Sequence, residues 1–346
     1  MKEINIGLIG FGYSAKTIHF PIIKSVEGYN IKAIVTGDPS KITDEYAGVS
    51  IYKSYELLLE DKTIDTVIIA TPNSTHFDIA KKALLSGKSV IVEKPFVTTY
   101  EEGLELIKLA EKENLLLTVF QNRRWDSDFL TVKKIIKEGL LGDVHTYEAH
   151  FSKYKPEITH KWKENNEKGS GVLYDLAPHI IDQAITIFGN PETVFADVQS
   201  QRDGAKTNDY YHIILGYGKK RVILHTGSIV LSDGPRFQIH GTKGSFIKYG
   251  IDPQESQLKQ GRNPFSEGWG EETNVTYGDL ITNYEKIKKE KIKSEKGCYE
   301  NFYIDFYQSL INKEPLSVKP YEALNSIKII ELALESSELG KTLRFR

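Results

Sequence analysis

The chain has 346 residues, which is longer than one ordinary domain and fits two domains that each bury a core. Hydrophobic residues make up 40% of the sequence, charged residues make up 27%, and the formal net charge is −2. This composition is typical of a soluble globular protein and lacks the strongly basic character of nonspecific binders of nucleic acid or anionic membranes, so we expect neither as a partner.

The cysteine content and the first residues favour a cytoplasmic location. Cys298 is the single cysteine, which excludes an internal disulfide and suits a reducing compartment. An apolar strand and a glycine turn open the sequence, so we expect no secretory signal region there. No run of the sequence approaches the ~18 apolar residues that a membrane span requires.

The first twenty residues predict a strand, a glycine turn and a helix. Residues 2–9 are rich in apolar side chains, the turn is Gly10-Phe11-Gly12-Tyr13-Ser14-Ala15, and apolar residues recur at helical spacing after it. In a G-x-G-x-x-G/A turn, the first glycine permits the tight bend, the second lets a pyrophosphate approach the backbone, and the third position packs the helix against the strand. The helix N-terminus adds free N–H groups. We predict that residues 10–15 bind a dinucleotide; the alternative is a turn whose glycines only shape the chain.

The end of the second predicted strand, Ile31–Val35, is the place that selects the cofactor. An acid about 20 residues beyond the glycines binds the adenosine ribose and repels a 2′-phosphate. The residue directly after the strand is Thr36, and Ser40 and Lys41 could bind a phosphate, whereas Asp38 is close enough to face the ribose. We therefore predict NADP in preference to NAD, with Thr36, Ser40 and Lys41 as contacts.

Two further strand ends carry candidate site residues. The strand Thr66–Ala70 precedes Thr71-Pro72-Asn73 and His76, and the strand Ser89–Val92 precedes Glu93-Lys94-Pro95. The carboxyl ends of strands in a doubly wound sheet face the cofactor crevice. The cofactor contacts predicted on this basis are Thr71, Pro72, Asn73, His76, Glu93 and Lys94. The nicotinamide would lie beside Lys94; the alternatives are a capped turn for the first loop and a surface lysine for the second.

The alternation of strands and helices continues to Leu115–Phe120 and predicts a parallel α/β domain over residues 1–122. Asn122, Arg123 and Arg124 follow the last strand. The two arginines could bind cofactor phosphate or substrate hydroxyls, or could form an inter-domain salt-bridge cluster. We assign Asn122 and Arg123 to the cofactor and Arg124 to the substrate.

Residues 123–346 have a different pattern, in which the helix Asp175 to Phe188 interrupts a series of strands. The predicted strands are Val144–Phe151, Thr193–Ser200, Tyr210–Tyr217, Arg221–Val230, Phe237–His240 and Ser245–Tyr249. Consecutive strands without intervening helices predict an α/β domain with an open, mainly antiparallel sheet, suited to substrate binding and dimer contact. Residues 251–278 are predicted to form a long loop or excursion, and Tyr284–Lys296 is predicted to form a solvated hairpin or helix face.

Asp175 and His179 form the last candidate group, in a glycine-rich approach to the predicted helix. They are four residues apart and share a face if this turn is helical. A carboxylate beside an imidazole can orient the ring and raise its basicity, which suits general acid–base chemistry. The alternatives are a helix cap for Asp175 and a backbone-bonded ring for His179. The histidines show no zinc spacing, so we expect no metal.

Together these stretches resemble the glucose–fructose oxidoreductase, inositol dehydrogenase and rhizopine-catabolism family, Gfo/Idh/MocA, over nearly the whole chain. The shared features are the glycine turn, Thr71-Pro72-Asn73 with Thr75-His76, Glu93-Lys94-Pro95, and G-x-L-x-D-L-x-x-H-x-x-D from Gly171 to Asp182. Residues 121–129 and 248–255 are similar to a narrower branch that includes NADP-dependent scyllo-inositol dehydrogenases.

The resemblance implies a Rossmann domain, an α/β domain whose open sheet buries one face in a homodimer or a dimer of dimers, and hydride transfer between nicotinamide and a carbinol carbon. Lys94 matches the family lysine that binds the reacting hydroxyl, and Asp175 and His179 match its carboxylate–imidazole pair. The expected substrate is a cyclic polyol or sugar, and its expected contacts are Lys94, Arg124, Tyr154, Asp175 and His179. The alternatives are an NADPH-dependent reductase of another carbonyl compound and a non-catalytic NADP-sensing regulator.

Overall fold

The computed structural model describes residues 2–38, 40, 42–43, 46–159 and 161–346. The chain forms two compact units. The first unit comprises Met1–Asn122, Gln254–Trp269 and Cys298–Leu324, and the second comprises Arg123–Pro253, Gly270–Gly297 and Asn325–Arg346. Two later segments therefore belong with the first unit, whereas the boundary drawn from the sequence assigns every residue after 122 to one domain.

The first unit is built on a six-stranded parallel sheet. Its strands are β1 (Ile4–Ile9), β2 (Tyr29–Val35), β3 (Ser50–Tyr52), β4 (Thr66–Ile69), β5 (Ser89–Val92) and β6 (Leu117–Val119). They lie in the order β3-β2-β1-β4-β5-β6. Every residue of β4 and β5 is buried, as expected for strands covered on both faces. This is the doubly wound order of a Rossmann fold, and it confirms the predicted fold class.

Helices connect these strands. A π-helical turn (Ser14–His19) leads into α1 (Phe20–Ile23), and α2 (Tyr55–Glu60), α3 (His76–Leu85) and α4 (Tyr100–Glu113) follow. A capping box starts α4, because the Thr99 hydroxyl accepts from the Glu102 N–H while the Glu102 carboxylate accepts from the Thr99 N–H. Two helices from later in the chain complete the unit, α8 (Gln254–Lys259) and α9 (Glu300–Asn312).

The second unit is built on a nine-stranded sheet. Its strands are β7 (Val144–His150), β8 (Thr193–Gln199), β9 (Tyr210–Tyr217), β10 (Lys220–Gly227), β11 (Phe237–Gly241), β12 (Gly244–Lys248), β13 (Gly278–Asn283), β14 (Ile287–Ile292) and β15 (Leu343–Arg344). They lie in the order β14-β13-β12-β11-β7-β10-β9-β8-β15. The pair β7–β10 is parallel and the others are antiparallel, which confirms the predicted open, mainly antiparallel sheet.

Four helices accompany this sheet, although the first residues of the last one belong to the first unit: α5 (Ser127–Lys137), α6 (Val172–Asp175), α7 (Ala177–Phe188) and α10 (Pro320–Leu339). The structure breaks the predicted helix from Asp175 at Leu176, and α7 packs on β10 and β7. The predicted loop or excursion over residues 251–278 contains the short helix α8, and Gln254–Trp269 within it belongs to the first unit. Of the alternatives for Tyr284–Lys296, the structure has the hairpin, β13–β14. Across the described ranges, no helix is both long and apolar enough to cross a membrane.

Candidate active site

The glycine turn follows β1 and is held against the end of β4. Gly10 has φ +89°, and a Cβ atom at this position would lie 2.7 Å from the carbonyl oxygen of Ala70. The Gly10 N–H donates to the Val35 carbonyl at 3.1 Å. A side chain at residue 10 would therefore meet both backbone strain and backbone atoms, so this position requires glycine.

Gly12 differs from Gly10, because a Cβ atom there would meet no heavy atom within 4 Å. The backbone at Gly12 thus borders open space beside the first turn of the helix, where the Lys16 N–H bonds the Gly12 carbonyl at 3.0 Å. Phe11 is buried edge-on against Tyr46, and Ala15 is fully buried. These residues fit a dinucleotide, because the strand ends hold the turn in place at Gly10 and the second glycine, Gly12, leaves room for a pyrophosphate.

A buried carboxylate connects the glycine turn to the candidate lysine. Glu93 directly follows β5, and its Oε1 accepts hydrogen bonds from the Ser14 hydroxyl and from His19 Nε2, the latter at 2.9 Å. Its Oε2 accepts the Lys94 N–H at 3.0 Å. Burial favours the neutral carboxyl, but the bond from His19 and the charges of His19 and Lys94 outweigh it and lower the pKa of Glu93 to about 2. The predicted cofactor residue Glu93 is therefore ionised and already bound on both oxygens.

His76 connects the two predicted loops. Its Nδ1 lies 2.9 Å from the Pro95 carbonyl and its Nε2 lies 3.1 Å from the Thr71 carbonyl, and the ring is fully buried. Burial lowers the pKa of His76 although both carbonyls oppose the shift. Asn73 is also buried, and the peptide bond between Lys94 and Pro95 is cis. His76 thus positions the loops that carry Pro72, Asn73 and Lys94, because its ring nitrogens contact the main chain.

The edge predicted to select the cofactor lies at the end of β2. The Thr36 side chain is buried, and its hydroxyl donates to the Asp38 carbonyl at 3.2 Å. The Asp38 carboxylate accepts the Ser40 N–H at 3.2 Å and the Ser40 hydroxyl at 2.5 Å. Ser40 is therefore bonded to the acid that faces the ribose in the prediction. Lys41 lies outside the described residues.

Helix α8 borders the glycine turn and was missed by the sequence prediction. The Tyr13 hydroxyl donates to Glu255 Oε1 at 3.1 Å, and the ammonium group of Lys259 lies 5.7 Å from the centre of the Tyr13 ring. Glu255 and Lys259 also form an ion pair at 2.9 Å. The short polar sequence of α8 gives no apolar period, so only the fold reveals this contact.

Asn122 belongs to the first unit, whereas Arg123 and Arg124 belong to the second unit. Asn122 is buried in the first unit. Arg124, in the second unit, forms a buried, bidentate ion pair with Asp182, with both N–O distances 2.7 Å. Arg123 binds Asp126 at 3.1 Å and lies over the Phe151 ring at 4.9 Å from its centre. The arginines therefore bind acids and an aromatic ring within the second unit.

Asp175 and His179 lie on either side of the helix break. Asp175 is the last residue of α6, and its carboxylate binds the Lys163 ammonium at 2.6 Å. His179 lies in the first turn of α7, is 6% exposed, and stacks on Phe151 with 6.4 Å between ring centres. The N-cap position of α7 is Leu176, one residue after Asp175. Tyr154 is half-exposed and pairs with Ile229 through a single bridge.

Comparison of the sequence with known protein families identifies the class of protein. Residues 4–121 match the NAD-binding Rossmann fold of the Gfo/Idh/MocA oxidoreductase family, and residues 133–345 match the C-terminal alpha/beta domain of the same family. The chain belongs to this family and is an oxidoreductase, which confirms the resemblance found in the sequence and the predicted class of NAD(P)-dependent dehydrogenase.

Individual relatives are similar over the full length. The chain is 41% identical to scyllo-inositol 2-dehydrogenase (NADP(+)) IolW of Bacillus subtilis, covering 99% of this chain and 96% of that protein. It is 39% identical to the uncharacterized oxidoreductase YdgJ of Escherichia coli, with 99% and 98% covered. The solved structure of the oxidoreductase yvaA from Bacillus subtilis superposes with a TM-score of 0.97 at 40% identity, with 100% and 99% covered.

Proposed function

We propose that this oxidoreductase is an NADP-dependent dehydrogenase that acts on a secondary hydroxyl of a cyclic polyol or sugar. The observation that carries the proposal is Lys94, which follows an ionised, buried carboxylate at the end of β5 in an NAD-binding fold. A full-length relative named scyllo-inositol 2-dehydrogenase (NADP(+)) supports an inositol-like substrate. Residues 1–122 serve the cofactor in this proposal, and residues 123–346 serve the substrate and self-association.

Three residues carry the proposed chemistry. When bound, the nicotinamide supplies the two-electron acceptor or donor at its C4 position. The Lys94 ammonium group binds the reacting hydroxyl and stabilises the charge that develops on its oxygen, an interaction stronger in the transition state than in the ground state. His179 takes the hydroxyl proton as general base. The Asp175 carboxylate favours the imidazolium form of His179, and Lys163 fixes that carboxylate in turn.

The first test is the initial rate of NADP⁺ and NAD⁺ reduction with scyllo-inositol, myo-inositol and several pyranoses, beside a Lys94→Ala control. Turnover of an inositol with NADP⁺ that is lost in the control supports the proposal. If no cyclic polyol or sugar is turned over while NADPH still binds, the proposal fails, and another carbonyl substrate or a sensing role takes its place.

The proposed base can be tested separately. General acid–base catalysis contributes about 10²–10⁴-fold, so His179→Ala should lower turnover by roughly that range while NADPH affinity stays unchanged. His145→Ala is the matched control, because His145 is an exposed histidine of the same sheet unit. Turnover in His179→Ala equal to that of His145→Ala would remove His179 from the mechanism.

We also propose that the chain forms a homodimer, or a dimer of dimers, through the free face of the nine-stranded sheet. One face of β7, β8, β9 and β10 is buried against the unit's own core, whereas the opposite face presents half-buried apolar residues such as Phe195, Ile214 and Ile223. A second copy offers the same surface and therefore covers it. Light scattering should give twice or four times the 39.2 kDa chain mass. An Ile223→Glu variant should shift this mass toward the monomer.

A further inference from the structure

A buried series of hydrogen bonds leads from helix α9 to the residue before Lys94. The Tyr303 hydroxyl contacts His19 Nδ1, and His19 Nε2 lies 2.9 Å from Glu93 Oε1. Glu93 Oε2 then accepts the N–H of Lys94 at 3.0 Å. His19 and Tyr303 are fully buried, and all four residues belong to the first unit. His19 is therefore shielded from solvent, and it contacts the carboxylate that accepts the Lys94 N–H.

The charge of Glu93 defines the direction of the hydrogen bonds that reach its carboxylate. Glu93 is ionised, as described above, and accepts on both oxygens. Burial, and then the nearby Glu93, raise the pKa of Tyr303 well above its usual value, so that the phenol keeps its proton. His19 Nε2 therefore donates to the Glu93 carboxylate, and His19 Nδ1 contacts the Tyr303 hydroxyl. Both ring nitrogens are used, so the orientation of the ring is fixed.

Packing alone does not explain this arrangement. The His19 ring lies 4.3 Å from the Phe120 ring, and Phe120 packs edge-on against Phe302, so the surroundings are aromatic. An apolar side chain would fill such a site without the cost of burying a carboxylate, and replacing buried ionic groups by apolar ones is often neutral or stabilising. The polar residues therefore point to a role for Glu93 beyond stability.

We propose that His19 is a positioning residue that acts on Lys94 through Glu93, favouring the ammonium form of Lys94 and fixing its main chain. The proposal rests on the role of Lys94 in the proposed function. Ser14, in the glycine turn, donates to the same Glu93 oxygen as His19. The turn and the lysine are therefore held by one carboxylate, and the set of His19, Glu93 and Tyr303 aligns the two.

A titration that needs no substrate tests the electrostatic part. Lysines are reductively methylated with ¹³C-formaldehyde, the Lys94 signal is assigned by its loss in Lys94→Arg, and it is followed by NMR across pH. A neighbouring opposite charge raises the pKa of an ammonium group, so Glu93→Gln should lower the Lys94 titration midpoint by about one pH unit. His19→Phe and Tyr303→Phe should move it in the same direction by a smaller amount, because each loosens the hydrogen bonds that hold the ionised Glu93 carboxylate in place.

Kinetics test the positioning part. A displacement of about 1 Å at a catalytic group can cost roughly 10²-fold, so His19→Phe should lower kcat by about that factor while the KM for NADP⁺ changes only a few-fold. His19→Gln keeps an amide donor for Glu93 and should restore most of kcat. The matched control is Tyr29→Phe, since the Tyr29 hydroxyl bonds the Tyr303 carbonyl at 2.7 Å and not His19. Tyr303→Phe should lower kcat, whereas Tyr29→Phe should behave as wild type.

The outcomes separate this inference from the proposed function. If Lys94 titrates at the same pH in Glu93→Gln, Tyr303→Phe and wild type, the inference is overturned whatever the substrate. If His19→Phe does not fold, by circular dichroism, the milder Tyr303→Phe and His19→Gln carry the test. Equal losses of kcat in His19→Gln and His19→Phe also overturn it. A shifted titration without turnover of any polyol or sugar supports the inference while the proposed function fails.

Discussion

Two glycines of the same turn allow the proposed cofactor site to be tested with one methyl group. At Gly10 an added Cβ lies 2.7 Å from the Ala70 carbonyl oxygen on a backbone with φ +89°, whereas at Gly12 it meets nothing within 4 Å. Gly10→Ala should therefore damage the folded state itself. Gly12→Ala should leave the folded state intact and obstruct only a ligand that approaches the turn.

Gly10→Ala is expected to lower folding stability, whereas Gly12→Ala is expected to lower cofactor affinity. A non-glycine residue at positive φ costs about 1–3 kcal/mol, and the backbone contact adds to this, so Gly10→Ala should lose roughly 2–4 kcal/mol. That corresponds to a fall in Tm of roughly 4–16 °C, at about 2–4 °C per kcal/mol. Gly12→Ala should gain up to about 1 kcal/mol, because alanine restricts the unfolded chain. Losing one charged hydrogen bond to the pyrophosphate, at about 1.5–3 kcal/mol, should raise the Kd for NADPH by roughly 10–100-fold.

Thermal unfolding by circular dichroism and NADPH binding by fluorescence measure both effects on the same samples. Wild-type NADPH affinity in Gly12→Ala would refute the reasoning, because the open space at Gly12 would then not be where the pyrophosphate lies. An unchanged Tm in Gly10→Ala would show that the turn relaxes at no cost, and the argument from backbone strain would fail.

Three further predictions concern charged groups. Asp182→Asn removes the carboxylate that pairs with the buried Arg124 guanidinium. It should lower the free energy of unfolding, measured in urea, by about 3–5 kcal/mol. Adding Arg124→Met to the same chain should restore part of this loss. Burial, and then His150 and His212, lower the pKa of His225 to about 4, so the unfolded state binds more protons than the folded state between about pH 4 and 6.5. The free energy of unfolding should therefore fall by about 1–2 kcal/mol as the pH drops through this range, after allowing for solvent screening of the partly exposed ring. His225→Gln should remove this pH dependence. Asp38→Ala removes the carboxylate at the ribose edge, which would repel the 2′-phosphate of NADP⁺. An interaction between two exposed charges is worth about 1 kcal/mol, so the ratio of kcat/KM for NADP⁺ over NAD⁺ should rise roughly fivefold. A lower ratio would contradict the assignment of this edge.

The sequence was sufficient to predict the parallel sheet of the first unit, because β4 and β5 each contain three consecutive apolar residues and lie between clear helices. It missed β3, a three-residue strand with two exposed side chains, since so short a strand has no period to detect. It also missed that α9 belongs to the first unit. The apolar stripe of α9 indicates that one face of the helix is buried, but it does not identify the surface that covers this face.

In the candidate site, too, the sequence predicted residues whose role depends on their neighbours in the chain better than residues whose partners are distant in the chain. Gly10 and Gly12 were recognisable because their task is local and is set by backbone conformation within one turn. Arg124 was assigned to the substrate, but its carboxylate partner, Asp182, comes from a helix 58 residues later. That assignment stays a prediction, and it must now hold for a guanidinium that already has a bidentate partner.

His19 is the strongest example of what the sequence conceals. It lies among apolar residues at helical spacing, where a histidine is most simply interpreted as part of the core. The signal that could have revealed it is its polarity on a buried stripe, since a buried polar group must find a partner. Its two partners lie 74 and 284 residues away, directly after β5 and on α9. No local pattern encodes such distances, so the residues that position a catalytic group are the last to be found from sequence, even where the group itself is part of a recognisable motif.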